Sequence, residues 1–256
     1  MRTEEIVLEA RGLVKDYRRS RAVDGVDLVV HAGERVALLG PNGAGKTTTL
    51  LMILGVVAPD VGAVTICGHP LATARSRAAA NVGFAAGYLP LAERMRVREY
   101  LRFYAQLYGV AHPEPQIAAG LERFRISHLA EAMGTELSSG QRTLVGIVRA
   151  TLHRPRVLVL DEPTASLDPD VAHRVRTGLE EISDADGTAM LVTSHDMSEV
   201  ARLSERVVFL SLGRIIADGS PKDVAAAYGH EDLESVFMQI AERHESVAAQ
   251  QTDHVL

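Results

Sequence analysis

Four short runs of β-branched and leucine residues stand out from the mixed background of the chain: Arg35–Leu39, Arg156–Leu160, Ala189–Thr193 and Arg206–Leu210. Each is apolar almost throughout, so neither face is expected to meet water. That is the pattern of a strand in a parallel sheet covered on both sides. Helical patterns lie beside these runs at Lys46–Leu54, Arg142–Leu152, Val171–Ile182 and Met197–Leu203. The alternation predicts an α/β domain with a mostly parallel sheet. Ile6–Ala10, Val26–Val30 and Gly62–Ile66 read instead as short strands of a small antiparallel β layer. From about Met95 to Ala132 the pattern is helical with no strand, which predicts an inserted helical subdomain interrupted at Pro113 and Pro115. The whole reads as one domain over 1–245, with a core at about 1–90 and 155–222 and a helical subdomain at about 91–154. A polar tail, 246–256, follows, with fraying expected after about His244.

Composition narrows the class. The 256 residues are 46 % hydrophobic and 23 % charged, as in ordinary globular proteins and unlike disordered, collagen-like or disulfide-stapled chains. The net charge of −6 argues against a binder of the nucleic-acid backbone. Cys67 is the single cysteine, so no internal disulfide is possible and a reducing compartment fits. The longest uncharged apolar run, Leu50–Ala58, is far shorter than the ~20 residues that span a bilayer. The N-terminus has no apolar signal core. The expectation is a soluble cytosolic protein that reaches a membrane only through a partner. The histidines show no ligand-like spacing, so no protein metal cluster is expected.

Chemistry enters at Gly40-Pro-Asn-Gly-Ala-Gly-Lys-Thr47, which matches G-x-x-x-x-G-K-[ST]. A strand runs straight into it and a helix leaves it. Glycines let successive N–H groups of Asn42, Gly43, Ala44 and Gly45 curl around a phosphate, and the helix N-terminus adds positive charge there. In that frame Lys46 reaches the β- and γ-phosphates, Thr47 holds Mg²⁺, and Thr48 donates to the α-phosphate. The plain alternative is a glycine-rich strand-to-helix turn, which leaves the lysine and threonine unexplained.

The run Val157-Leu-Val-Leu160 ends in Asp161-Glu162. A buried strand of this kind delivers charge to its C-terminal edge, where α/β sheets bind ligands. Asp161 is then expected to bind Mg²⁺ through water, and Glu162 to be the base that orients or deprotonates the attacking water. An isolated Asp-Glu pair would be read as a solvated strand end; the phosphate loop upstream changes that.

Three further segments complete a recognisable series. Leu137-Ser-Ser-Gly-Gln141 precedes Asp161 by about twenty residues, Glu162-Pro-Thr-Ala-Ser-Leu-Asp168 follows, and His195 comes just after the run Ala189–Thr193. In this order the motifs resemble those of an ABC transporter nucleotide-binding subunit, over about residues 5–240. The resemblance implies an ATPase that works as a head-to-tail homodimer, each ATP lying between one phosphate loop and the partner's signature. Ser138, Gly140 and Gln141 would then bind nucleotide in trans, with Ser138 also capping the helix that starts near Gly140. Asp168 would cross the dimer interface, and His195 would donate to the γ-phosphate and support Glu162. Tyr17, in Val14-Lys-Asp-Tyr17, resembles the family's adenine-stacking aromatic.

Two positions depart from the pattern. Ser139 replaces the first signature glycine, a small change. Gly87, in Val82-Gly-Phe-Ala-Ala-Gly87-Tyr88-Leu-Pro90, stands where the family usually carries a glutamine that contacts Mg²⁺. Some export-type subunits resemble this loop, and Gly87 is read as a hinge, one that a side chain would disturb if its φ is positive. Six of the eleven aromatics fall at Phe84, Tyr88, Tyr100, Phe103, Tyr104 and Tyr108. Tyr100, Tyr104 and Tyr108 recur every four residues on one helical face with Phe103 beside them, which fits a subdomain core, a groove for a permease helix, or both. The tail His230-Glu-Asp-Leu-Glu-Ser-Val-Phe237 also resembles export-type subunits. The resemblance therefore implies ATP, Mg²⁺, a second copy and a separate membrane permease as partners, at the cytoplasmic face of the membrane. Two other readings stay open: an ABC ATPase acting on ribosomes or DNA, and a weakly active regulatory nucleotide binder.

Overall fold

The computed structural model describes residues 5–253 apart from 19, 88 and 166, with side chains to Ser246. In chain order, β1 (Ile6–Tyr17) and β2 (Ser20–His31) form a long hairpin, followed by β3 (Arg35–Leu39) and α1 (Lys46–Ile53). Then come β4 (Val61–Ile66), β5 (His69–Pro70), α2 (Leu71–Ala79) and β6 (Val82–Ala86). A helical stretch holds α3 (Val97–Leu107), α4 (Pro113–Arg123) and α5 (Ser139–Thr151). The chain returns through β7 (Val157–Asp161), α6 (Pro169–Asp186), β8 (Ala189–Thr193), α7 (Met197–Leu203), β9 (Arg206–Ser211) and β10 (Arg214–Gly219). It ends in α8 (Pro221–Ala227) and α9 (Leu233–Asp253).

Two sheets result. One is antiparallel in the order β2-β1-β4-β5; the other has the order β10-β9-β3-β8-β7-β6. In the second, β9, β3, β8, β7 and β6 are parallel and only β10 runs against them. The α/β architecture with a mostly parallel sheet, an antiparallel β layer and an inserted run of helices is as the sequence predicts.

Full burial of the central strands follows from two-sided packing. Val157 and Val159 of β7 join the cluster beneath the antiparallel layer and α1, while Leu158 and Leu160 join the cluster of helices α3, α4, α5 and α6. β8 divides the same way, Ala189 and Leu191 to one side and Met190 and Val192 to the other. Successive side chains of a strand point to opposite faces, so a continuous apolar run fits only a sheet covered twice.

Some elements escape the hydrophobic pattern. β6 carries Gly83 and alternates small residues, so it does not read as a strand; a Cβ on Gly83 would lie 2.2 Å from Ala150 O, and the glycine is what lets α5 approach. β10 is an edge strand with alternating exposure. The helical stretch does break at the prolines, between the end of α3 at Leu107 and the start of α4 at Pro113. Pro113 opens α4, in the first turn, where a missing N–H costs nothing. Helix α9 continues to Asp253, and its buried Leu233, Val236 and Ile240 pack with Val207 and Phe209 of β9. The last three residues of the expected polar tail lie outside the described residues.

Candidate functional site

The parallel strands end on one edge of the sheet, and the functional groups gather there. From β3 the chain turns through the loop at 40–45 into α1. Gly45 sits at the N-cap of α1 with φ 104°, and a Cβ there would lie 2.4 Å from Ala22 O. Gly40, at φ 145°, is pressed against β9, where a Cβ would meet Leu210 O at 2.2 Å. No other residue type fits either place. The loop is also held from outside, since the N–H of Gly213 donates to Ala44 O at 3.0 Å.

Lys46 folds back over this loop, its Nζ donating to Gly40 O at 2.6 Å and Pro41 O at 3.1 Å. Burial lowers its pKa, and the negative charges of Glu162 and Asp161 work in the opposite direction. The ammonium is thus poised beside two carboxylates at the mouth of the loop.

Those carboxylates arrive on β7. Its register with β8 pairs Asp161 with Thr193, whose Oγ1 donates to Asp161 Oδ1 at 2.5 Å. Glu162 follows at φ 52°, an uncommon left-handed backbone that swings the chain sharply away from the strand. Its N–H donates to Thr193 O at 3.2 Å. Its carboxylate is met by His195, with Nε2 3.3 Å from Oε1 and the His195 N–H donating to Oε2 at 3.3 Å. Burial raises the Glu162 pKa; His195 opposes that shift, Asp161 adds to it, and Lys46 opposes it.

One pocket is lined by Tyr17, Asn42, Gly43, Ala44, Gly45, Lys46, Thr47, Thr48, Asp161, Glu162 and His195, all named from the sequence. Tyr17 is 48 % exposed at the hairpin end, so its ring is free to take a flat partner. The sequence analysis misses Arg21, Asp24, Arg214 and His244, which line the same pocket. Arg21 and Arg214 both pair with Asp24, and no local motif marks that network.

Ser138, Gly140, Gln141 and Asp168 do not line this pocket. Ser138 caps α5: its Oγ accepts from the N–H of Gln141 at 3.2 Å, and Gln141 Oε1 accepts from the N–H of Ser138 at 2.9 Å. The capping expected of Ser138 is therefore present, on an exposed helix start. Gly140 is buried against Val171 of α6. Asp168 is exposed at the start of α6. Its neighbour Ser166 lies outside the described residues.

Gly87 follows β6 beside the catalytic strand, its N–H 3.4 Å from Asp161 O. Its φ is not in the left-handed region, so that possible reason for a glycine falls away. What remains is proximity, because a Cβ would lie 3.3 Å from Glu162 O.

Residues 23–165 match the family model described as ABC transporter. The chain belongs to that family. It is an ATP-binding subunit of the ABC transporter class, whose members are ATPases coupled to transport. It is 37 % identical over 235 residues to the Nod factor export ATP-binding protein I of Paraburkholderia xenovorans (strain LB400), covering 91 % of this chain and 77 % of that one. Among solved structures, an ATP binding subunit of an ABC transporter superposes with a TM-score of 0.84 at 30 % identity, covering 91 % of this chain and 99 % of the other. The cbiO1 protein of Clostridium perfringens, described as part of the ABC transporter complex cbiONQ, gives a TM-score of 0.78 at 26 % identity, with 96 % and 100 % covered.

The aromatic group divides along α3. Tyr100 is buried and accepts from Arg149 Nη1 at 3.2 Å; Arg149 also lies 5.2 Å from the Tyr104 ring centre. Phe103, Leu107 and Tyr108 are exposed on the same helix. Phe84 is partly buried against the cluster under the antiparallel layer. Tyr88 lies outside the described residues.

Proposed function

We propose that this chain is the ATP-hydrolysing subunit of an export-type ABC transporter, acting as a head-to-tail homodimer beneath a separate permease. The observation that carries the proposal is the division of the motifs. Phosphate loop, strand-end carboxylates and His195 share one pocket, while the Ser138 helix start stands exposed elsewhere on the same chain. An exposed helix N-terminus suits an anion brought by another molecule. A second copy facing head to tail supplies that anion as the γ-phosphate of its own ATP, with Asp168 crossing nearby. The name of the Nod factor relative supports export. Among the described residues no helix is long and apolar enough to cross a membrane. In the proposed arrangement the permease carries this chain to the cytoplasmic face of the membrane.

The reaction follows from the residues. ATP stacks its base on Tyr17 and lays its phosphates in the loop at 42–48. Lys46 exchanges its bonds to Gly40 O and Pro41 O for bonds to the β- and γ-phosphate oxygens. Glu162 accepts a proton as water attacks phosphorus; the bond to the β-phosphate bridging oxygen breaks, and ADP and phosphate remain. His195 holds Glu162 and donates toward the γ-phosphate. Thr47 and Asp161 are hard oxygen donors on the same pocket wall, which suits Mg²⁺. Among the described residues no group of three or more His, Cys, Asp or Glu side chains could hold a metal. Mg²⁺, when bound, neutralises charge developing on those phosphates. The domain limits proposed are 1–245, with the ATPase core at about 1–90 and 155–222 and the helical subdomain at about 91–154.

The arrangement in trans is tested by gel filtration of Glu162→Gln with ATP and Mg²⁺. A species of twice the mass that disappears when Ser138→Arg is added supports the head-to-tail dimer. A monomer under all conditions contradicts it.

A further inference from the structure

One buried residue at the nucleotide pocket, His244, belongs to none of the motifs. Along α9, Leu233, Val236 and Ile240 form a buried stripe against the sheet, and the next position on that face is His244, which is only 8 % exposed. The stripe thus changes from aliphatic to imidazole where the helix reaches the nucleotide pocket, whose wall includes His244. Its Nδ1 and the hydroxyl of Ser211 share a hydrogen bond of 3.1 Å. Its Nε2 lies 3.9 Å from where a Cβ on Gly43 would stand, so the ring rests on the backbone of the phosphate loop.

Ser211 is itself part of the loop's support. It ends β9, just after Leu210, whose carbonyl packs on Gly40, and just before the turn in which Gly213 donates to Ala44 O. The imidazole therefore spans from the strand that backs the loop to the loop's own middle. One ring nitrogen is bonded to Ser211 and the other faces Gly43 of the loop, so the ring links the two through specific contacts that an aliphatic side chain could not make.

We propose that His244 is a positioning residue for the phosphate loop, and that the docked carboxy-terminal helix forms one wall of the ATP site. The inference rests on the reading of the loop at 40–47 as that site. Removing the imidazole leaves the loop free to sample shapes in which its N–H groups no longer converge, so nucleotide binds less tightly. Loss of one such hydrogen bond corresponds to about a five-fold change in an equilibrium constant. Because Ser211 and His244 act through one bond, their effects should not add.

The experiment is titration calorimetry of ATP and ADP on the unaltered chain, His244→Ala, His244→Asn, Ser211→Ala and the double alanine variant, with the thermal midpoint of each recorded without nucleotide. The expected result is ATP and ADP affinity weakened about five-fold in each single alanine variant, little further loss in the double variant, and partial recovery in His244→Asn, whose amide can still meet Ser211. Ser211→Ala removes the bond from the half-buried side, so the result does not hang on His244→Ala remaining folded. Unchanged affinities beside a lowered thermal midpoint would reduce His244 to packing and overturn the proposal. So would tighter binding in His244→Ala, which would make the ring an obstruction. Failure of the unaltered chain to bind ATP is a different outcome; it overturns the reading of the site itself, and this inference with it.

Discussion

His195 holds both oxygens of Glu162, its Nε2 3.3 Å from one and its backbone N–H 3.3 Å from the other. The carboxylate is thereby oriented from β8 while its backbone leaves from β7. Two adjacent parallel strands in register, Asp161 opposite Thr193, fix that relation before any side chain rotates. A group held this way has its carboxylate orientation set in advance, which the proposed role as general base requires.

The electrostatics of Glu162 carry a pH signature. Burial raises its pKa above the ordinary value of 4.5. For a group raised on folding, the stabilising contribution is complete below the unfolded value and disappears as pH rises through the folded value. At neutral pH the buried charge is therefore a cost to the fold. Glu162→Gln should raise the thermal midpoint more at pH 7 than at acid pH, and the gain should shrink as pH falls through the raised native value and below the ordinary 4.5. Thermal melts of both proteins across that range provide the check. A constant difference at every pH contradicts the assignment of a buried, charged Glu162.

Gly87 supplies a second prediction. A Cβ there meets Glu162 O at 3.3 Å, so a side chain fits only if the neighbouring turn yields by a few tenths of an ångström. Its φ imposes no further strain. Gly87→Gln should fold, and its ATPase turnover should change by less than about ten-fold, since Lys46, Thr47, Asp161, Glu162 and His195 supply the positioning and charge stabilisation. Steady-state hydrolysis is the measurement. A gain of a hundred-fold or more would mean that the natural chain is crippled at this position and that a regulatory role ranks first.

Along α3 the same residue class should give two different phenotypes. Phe103 and Leu107 are exposed and Tyr100 is 3 % exposed beneath Arg149. If the exposed stripe grips a permease helix, Phe103→Ala should weaken assembly by about 2 kcal/mol and leave basal hydrolysis and stability unchanged. Tyr100→Ala should instead lower stability by about 3 kcal/mol through the cavity left behind. Permease co-purification beside urea unfolding separates them. Loss of stability in both, with assembly intact, makes the whole group core.

The sheet and the pocket were legible because their signals are strong and local. The runs at 36–39, 157–160 and 189–192 are buried on two faces, so they are apolar at every position, and glycine, lysine and threonine mark the phosphate loop by type. β6 was hidden because close approach of α5 demands Gly83, and a strand written in glycine and alanine has no hydrophobic contrast. His244 was hidden because its role depends on a helix docking across the sheet from 33 residues beyond Ser211. The Arg21–Asp24–Arg214 network is likewise made only by the fold.

In the proposed mechanism Glu162 activates water for a nucleotide held by the loop around Lys46. The most direct test is steady-state ATP hydrolysis by the purified chain, set beside ATP binding, for the unaltered protein, Glu162→Gln and Lys46→Ala. General-base catalysis is worth ~10²–10⁴ in rate, so Glu162→Gln should lose that much turnover while still binding ATP. Lys46→Ala should lose binding itself. Turnover near the unaltered value in Glu162→Gln, with ATP still bound, would contradict the account.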